Sequence, residues 1–370
     1  MMKTVTIALS EPLESALHKK AMHLLNSRQD VIGMQLDFVD SRKLYIQVLN
    51  TTDEEAFITE ALEIIAKLRK QSNGEEVEAG AIRIHHATPK NSEDISNLLI
   101  EEGWVALLKN GDYAYSGKII RLLDYLDSFL IGLYKHLRID EWRRYIPMIS
   151  AYHLEKMGYS EDSPEVMYKL NPIHFHGSGA AALQTAACYK LYFELESKTI
   201  PKNMLYSVYG TCFRNEPGRA FLLESSICFG MREFVFIGDK DYVLETREKC
   251  LDINMRLLGE LGLSGGLYWA DDPFFITSAV RKSNSIPNVS KVELRCPIAG
   301  RQKDIAVASV NVHGNYFGNT FSIKTSQGGE AWTGCSACGV ERLLWAVLQQ
   351  FGLNTGNWPK DMRSALDNEL

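Results

Sequence analysis

Two short stretches of this 370-residue chain place arginine near an acidic residue in a pattern that suits a phosphate-bearing ligand. In the first, Thr211–Pro217 (TCFRNEP), Arg214 and Glu216 lie two positions apart on a strand-like run, so their side chains share one face. The arginine fork can bind a phosphate while the carboxylate binds a polar group of the same ligand. From this stretch alone, a surface ion pair is the favoured alternative.

The second stretch is Thr333–Trp345 (TGCSACGVERLLW). Gly339 lets a strand approach its neighbours closely, and Arg342 then falls in the first turn of a helix. A cation at that end opposes the helix dipole, which makes Arg342 a poor structural choice and a better anion clamp. A solvent-facing arginine is the alternative.

The seven cysteines are an odd number, which favours buried thiols and a metal site over a disulfide framework. Cys335 and Cys338 form a single C-x-x-C pair, and His174 and His176 form HFH. Either pair is a candidate half-site for a metal, although one C-x-x-C without a second is weak evidence. We interpret four further cysteines as small buried hydrophobic residues: Cys212, Cys228, Cys250 and Cys296.

Composition and net charge restrict the class of protein to which the chain can belong. With 45% hydrophobic and 23% charged residues, the chain is typical of globular proteins that bury a core. No apolar run is long enough for a membrane span, and the N-terminus does not resemble a signal peptide, so we expect a cytoplasmic protein without membrane contact. A net charge of -6 argues against a protein that wraps nucleic acid.

The elements that must position these residues fall into two predicted domains. Residues 1–88 read as strand, helix, two strands, helix and strand, an order that predicts a small ferredoxin-like βαββαβ module. Its last strand is predicted in VEAGAIRIHH (77–86), and ATPKNSED (87–94) reads as a linker. Residues 95–370 begin with helices and continue with strands, including NTFSIKT (319–325), before the terminal helix GVERLLWAVLQQFG. Antiparallel sheet with flanking helices is the predicted fold class.

The order of the motifs carries a family resemblance. F-R-x-E in a strand, followed by G-x-E-R at the start of a terminal helix, resembles motifs 2 and 3 of class II aminoacyl-tRNA synthetases. Arg143–Ile149 (RRYIPMI), with Pro147, resembles motif 1, the dimerisation element. This resemblance implies an α+β, class II synthetase-like domain and a homodimer.

Intervening segments resemble the amino acid:[carrier protein] ligases, relatives of the zinc-dependent seryl-tRNA synthetases of methanogens, over roughly residues 95–370. These segments are AACYKLY, FGMREFVFIG, KVELRCPI, SVNVHGNYFG and CSACGVER. The resemblance implies zinc bound by Cys188, Glu233 and Cys335. Cys338 lies where the family more often has an aromatic residue, and the count back from Glu341-Arg342 favours Cys335 as the ligand.

The same resemblance implies the reaction and its other residues. Arg214 and Arg342 would bind the ATP phosphates, and Phe229 would stack on adenine. Glu216 would contact the adenine amino group. Glu293 and Asn311 are weaker candidates for binding ATP or the substrate. The substrates would be ATP with Mg²⁺ and a small amino acid such as glycine, alanine or serine. The aminoacyl group would pass from AMP to the phosphopantetheine thiol of a carrier protein.

Two other functions stay open at this stage. A seryl-tRNA synthetase would use residues 1–88 to bind tRNA, but the acidic balance and the lack of a recognisable long coiled-coil arm disfavour it. A non-catalytic synthetase paralogue is disfavoured because Arg214, Glu216, Arg342 and all three candidate zinc ligands are present.

Overall fold

A computed structural model of the chain describes residues 2–10, 31–36, 42–49, 52–73, 81–109, 112–157, 167–170, 181–215, 222–270, 290–299 and 304–367. The chain divides into two compact units, Met1–Gly80 and Ala81–Leu370. Among the described helices, none has the length and apolar character needed to cross a membrane.

The N-terminal unit contains three described strands and one described helix: β1 (Met2–Ala8), β2 (Val31–Leu36), β3 (Lys43–Leu49) and α1 (Glu54–Asn73). The strand order is β1-β3-β2, with both pairings antiparallel. Alternate residues of β1, including Val5 and Ile7, are buried together with Phe57 of α1 in a small core. The helix predicted between the first two strands of the module lies outside the described residues.

The fourth strand of the predicted ferredoxin-like module belongs elsewhere, so that prediction is wrong. The strand exists as β4 (Ala81–His85), but it pairs antiparallel with Gly265–Ala270 at one edge of the sheet in the second unit. Gly266 makes the pairing possible, because a Cβ there would lie 2.7 Å from the Arg83 carbonyl oxygen. A short strand does not reveal its partner from its own sequence.

The second unit is built from short and long elements around one large sheet. Its remaining strands are β5 (Val105–Leu107), β6 (Tyr113–Tyr115), β7 (Glu141–Arg144), β8 (Met148–Ser150), β9 (Lys169–Leu170), β10 (Ala181–Leu183), β11 (Met204–Phe213), β12 (Cys228–Gly238), β13 (Gly265–Ala270), β14 (Ser290–Cys296), β15 (Ile305–Gly314) and β16 (Trp332–Gly339). Its helices are α2 (Ser96–Glu101), α3 (Gly117–Tyr134), α4 (Ala151–Lys156), α5 (Tyr189–Glu194), α6 (Lys240–Leu261), α7 (Tyr316–Phe321), α8 (Val340–Phe351) and α9 (Lys360–Asp367), with 3₁₀ turns at Lys135–Leu137 and Thr355–Asn357.

The large sheet has the order β4-β13-β14-β15-β16-β12-β11-β7 among the described strands. Its pairings are antiparallel apart from β7, which lies parallel to β11. The predicted antiparallel sheet with flanking helices is therefore present. The predicted helix GVERLLWAVLQQFG is also confirmed as α8, which follows β16 directly and is buried along nearly its whole length, but α9 follows it, so it is not the last helix as predicted.

Strand β12 lies inside the sheet and is buried on both faces over most of its length. Because side chains alternate along a strand, its even-numbered residues Phe234 and Phe236 join the core formed with α3, α6 and α8. Its odd-numbered residues Met231, Val235 and Ile237 face a second core, formed with α5 and α7. The candidate site lies on this second face.

Two other predictions need correction. No strand forms over NTFSIKT: its first three residues, Asn319–Phe321, end α7, whose Phe317 and Phe321 lie four positions apart and are both buried, and Lys324 beyond them makes only isolated bridges. The predicted linker at 87–94 is tied to the end of α8: the Lys90 and Asn91 backbone N–H groups donate to the Gln350 carbonyl oxygen at 2.7 and 3.0 Å. Unsatisfied carbonyls at a helix C-terminus require such donors.

A buried ion pair joins α3 to the even face of β12. The Arg232 guanidinium donates to both carboxylate oxygens of Asp127, with distances of 2.7 and 2.6 Å, and also to the Ser207 hydroxyl at 3.1 Å. The arginine side chain is only 8% exposed. A bidentate pair at this depth fixes α3 against the sheet.

Replacing Asp127 with alanine should destabilise the protein, because it leaves the buried guanidinium without its anion. We expect the free energy of unfolding to fall by about 3 kcal/mol in urea denaturation. The matched control is Glu260→Ala, which breaks the exposed pair between Arg256 and Glu260 on α6 and should cost below about 0.5 kcal/mol. Equal losses in the two variants would contradict this account.

Candidate active site

The register of four strands gathers the site on one face of the large sheet. Val235 of β12 lies opposite Cys335 of β16, which lies opposite Asn311 of β15, which in turn lies opposite Lys291 of β14. The next row on the same face contains Glu233, Ala337, Ser309 and Glu293. Residues from distant parts of the chain therefore become neighbours through backbone pairing.

A cleft of about 930 Å³, including its opening to solvent, covers these rows. Every predicted site residue in the described part of the chain lines it: Cys188, Arg214, Phe229, Glu233, Glu293, Asn311, Cys335 and Arg342. Glu216 lies outside the described residues, and so do the alternative metal ligands His174 and His176.

Cys188, Glu233 and Cys335 form a buried group in the cleft. One ligand atom from each lies within 4.8 Å of the other two, and all three residues are buried. Cys188 immediately precedes α5, and its backbone N–H donates to Glu233 Oε1 at 3.1 Å. The Ala187 N–H donates to the same oxygen at 2.6 Å, so the turn that carries Cys188 is fixed to the strand that carries Glu233.

The electrostatics of this group suit a cation. Burial raises the pKa of the Cys188 thiol, and the neighbouring Cys335 and Glu233 raise it further. The hydrogen bond with Cys188 lowers the pKa of Cys335, but burial and the Glu233 carboxylate leave it raised overall. Two thiols and a carboxylate are a donor set that zinc accepts, and three protein ligands leave one position of a tetrahedral ion for substrate.

Cys338 is separated from this group by the alternation of β16. It lies three positions after Cys335, so it points to the opposite face and joins the core with α3 and α8. Burial raises the pKa of its thiol. The geometry thus places Cys335, and not Cys338, beside Cys188 and Glu233.

The two arginines predicted to bind phosphate lie along the cleft wall. The Arg214 guanidinium donates to the Thr185 carbonyl oxygen at 3.2 and 3.1 Å and lies 5.2 Å from the centre of the Phe229 ring. Arg342 donates from Nε to the Glu224 carbonyl oxygen at 2.9 Å. These contacts hold both guanidinium groups at the cleft, where their remaining surface can meet an anion.

Sequence reasoning missed three charged residues that line the cleft: Glu224, Lys291 and Glu341. Lys291 lies 3.1 Å from Glu293 on the same face of β14, two positions away. Burial raises the pKa of Glu293, but Lys291 and Arg295 more than offset this and leave it lowered. The alternation K-x-E could have indicated Lys291, because residues two apart on a strand share a face.

Glu341 is another of the missed residues. Both of its carboxylate oxygens accept the Gly230 backbone N–H, at 2.9 and 2.8 Å. Burial raises the pKa of Glu341 to about 7, although the N–H bonds from Gly230 and from its own backbone lower it. An acidic residue at the start of a helix commonly stabilises the helix dipole. The position of Glu341 in G-x-E-R therefore did not indicate a role in the site.

The remaining candidate residues follow the sheet as well. Asn311 donates to Cys335 Sγ at 3.5 Å, while its own side-chain oxygen is buried without a hydrogen-bond partner among the residues that the structure describes. Cys212, Cys250 and Cys296 are buried as predicted, but Cys228 is exposed, since it begins β12 at the end of the sheet. The interpretation of Cys228 as a buried residue is therefore wrong.

Comparison with known proteins gives two related groups. No family model matches the chain. The chain is 31% identical over 247 residues to amino acid:[acyl-carrier-protein] ligase 1 of Bradyrhizobium diazoefficiens, covering 60% of this chain and 75% of that protein. It is 29% identical over 307 residues to the type-2 serine–tRNA ligase of Methanocaldococcus jannaschii, covering 73% of this chain and 58% of that protein.

Solved structures share the fold. The M. kandleri seryl-tRNA synthetase, solved with A. aeolicus tRNASec, matches with a TM-score of 0.70 at 20% identity, covering 99% of this chain and 77% of that one. The Pyrococcus horikoshii seryl-tRNA synthetase, solved with ATP, matches with a TM-score of 0.63 at 14% identity, covering 86% of this chain and 83% of that one. The predicted synthetase-like fold is confirmed.

The raised pKa of Glu341 predicts a pH dependence of stability. The folded state keeps this proton up to about pH 7, whereas the unfolded chain releases it near 4.5, so stability falls as pH rises between these values. Relative to Glu341→Gln, the wild-type free energy of unfolding should fall by about 3 kcal/mol over that window. Urea denaturation at pH 4.5 and 7.5 measures the difference, and parallel pH profiles of the two proteins would rule it out.

Proposed function

The chain belongs to the amino acid:[acyl-carrier-protein] ligases, and on that premise we propose that it activates a small amino acid with ATP and transfers it to a carrier-protein thiol. The observation that carries the proposal is the convergence of Cys188, Glu233 and Cys335 at the base of a cleft that Arg214 and Arg342 also line. Ligand donors for a metal and cations for phosphate groups thus meet in one cavity. Glycine, alanine and serine are the candidate substrates.

The three buried donors are the proposed zinc ligands. A zinc ion held there would use its open position to bind the amino group of the substrate and so select an amino acid over a simple carboxylic acid. Asn311 would support this end of the cleft, since it contacts Cys335 and has a buried side-chain oxygen without a partner in the described part of the chain. That oxygen is suited to accept an N–H or O–H of the substrate.

The first chemical step needs no general base from the protein. The substrate carboxylate, already ionised, attacks the α-phosphorus of ATP; the new oxygen–phosphorus bond forms as the bond to pyrophosphate breaks. In this proposal Arg214 and Arg342, with the Mg²⁺ that accompanies ATP, stabilise the charge on the phosphates, and Phe229 stacks on adenine. Glu216 contacts the adenine amino group, and Glu293 contacts the substrate or a water associated with the magnesium ion. Positioning and electrostatic stabilisation supply the catalysis.

The second step transfers the aminoacyl group. The phosphopantetheine sulfur attacks the carbonyl carbon of the aminoacyl-adenylate, a thioester forms, AMP leaves and the thiol proton passes to solvent. Charge supports a thiol acceptor over tRNA. The first 80 residues, which a synthetase would use for tRNA, contain nine Lys and Arg against thirteen Asp and Glu. A surface that binds tRNA normally has the opposite balance.

We also propose a homodimer. The segment that resembles motif 1 and its two flanks expose large apolar side chains: Ile146 within it is 70% exposed, Trp142 just before it is 51% exposed and Tyr152 just beyond it is 57% exposed. Such a group on one stretch of surface suits burial against a second copy, and two-fold dimers are the commonest soluble oligomers.

Zinc content tests the ligand assignment. We expect about one zinc per chain in the purified protein by elemental analysis, and loss of both zinc and adenylation in Cys188→Ser. Cys335→Ala and Cys338→Ala form a matched pair on one strand: the first should lose zinc and the second should keep it. Equal loss in the matched pair, or full adenylation by metal-free Cys188→Ser, would refute the assignment.

The acceptor separates the two ligase functions. We would incubate the protein with ATP, radiolabelled glycine, alanine or serine, and one of three acceptors: carrier protein with its phosphopantetheine arm, the same carrier without the arm, or total tRNA. Label should appear only on the carrier protein that has its phosphopantetheine arm. A reducing thiol should release it, because a thioester exchanges with thiols. Label on tRNA with none on any armed carrier would favour a seryl-tRNA synthetase instead.

A further inference from the structure

His313 lies beneath the proposed zinc ligands, and its contacts suggest more than a place in the core. It belongs to β15, two positions after Asn311, and is fully buried. Its Nε2 atom lies 3.8 Å from Cys335 Sγ. Its Nδ1 atom lies 3.3 Å from the Tyr192 hydroxyl and 3.2 Å from the Thr333 hydroxyl.

These distances favour one arrangement of protons. A hydroxyl can donate to Nδ1, whereas a sulfur that binds a metal is a thiolate and can only accept. The arrangement that satisfies both ends has the Tyr192 or Thr333 hydroxyl donating to Nδ1 while Nε2–H donates to Cys335 Sγ. Tyr192 and Thr333 are themselves buried, so water does not compete for the ring.

Cys335 would then receive two N–H donors, from His313 and from Asn311. Donors to a metal-bound thiolate reduce the charge that the sulfur gives to the metal and fix the direction of its lone pairs. Cys188 comes from the helical side of the cleft, where the short backbone N–H contacts are made to Glu233. The two thiolates therefore differ in their surroundings.

We propose that His313 is a positioning residue that donates a hydrogen bond from Nε2 to the Cys335 thiolate, with its tautomer set by the hydroxyls of Tyr192 and Thr333. The inference rests on the proposed function, because it assumes that Cys335 is a metal ligand. It assigns His313 no contact with substrate and no part in proton transfer.

The test uses the full-length protein loaded with cobalt(II), whose bond to sulfur gives a charge-transfer absorption, and zinc affinity by competition with a chelator. His313→Phe keeps a ring but removes the donor; we expect zinc affinity to fall roughly tenfold or more and the absorption to move to lower energy. His313→Gln can place an amide N–H near the position of Nε2, so its affinity and absorption should stay close to wild type. Rescue by glutamine separates a hydrogen bond from simple filling of the core.

A second measurement keeps the test independent of variants that misfold. Nitrogen chemical shifts of the His313 ring in isotopically labelled, zinc-loaded wild type should show the proton on Nε2. A proton on Nδ1, or equal effects of phenylalanine and glutamine, would overturn the inference. Failure of wild type to bind either zinc or cobalt would instead contradict the proposed metal site, and with it the thiolate that this hydrogen bond requires.

Discussion

The site depends on the hydrogen bonds that the Glu233 carboxylate accepts. Buried on β12, it accepts the backbone N–H groups of Ala187 and Cys188 and so fixes the turn before α5 to the centre of the sheet. That contact helps to fix the distance of Cys188 from Cys335, which comes to the site by strand pairing. A carboxylate at this depth is costly to bury, and N–H donors or a cation are the means to compensate it.

Because side chains alternate along β12, the residues that form the site and the residues that stabilise the fold lie on opposite faces of this strand. Glu233 faces the cleft, while its neighbour Arg232 faces the opposite core and pairs with Asp127 of α3. The same alternation on β16 sends Cys335 to the cleft and Cys338 to the core. A shift of one residue in either strand would exchange these roles, so the fold holds the site through register rather than through flexible loops.

This dependence explains what the sequence could reveal. Arg214 and Arg342 lie in short local patterns that leave a surface role open, and the order of the two patterns, which resembles motifs 2 and 3, is what predicted that both bind one ligand. The meeting of Cys188, Glu233 and Cys335 could not be read from spacing and came only from the family resemblance, since it is made by long-range pairing. The same limit explains β4, whose partner strand lies far along the chain, and His313, whose neighbours Tyr192 and Thr333 come from two other elements. Lys291 could have been predicted from the sequence, because it lies two positions from Glu293 and residues at that spacing on a strand share a face.

The central claim is that one cleft joins an amino-group site at the buried thiols to a phosphate site at the arginines. Amino-acid-dependent exchange of pyrophosphate into ATP measures both at once. With zinc-loaded protein, we expect glycine, alanine or serine to support exchange, and glycolate, lactate and propionate, which have a carboxylate but no amino group, to fail. Exchange supported equally by these acids, or no exchange with any amino acid in a zinc-loaded protein, would contradict the account.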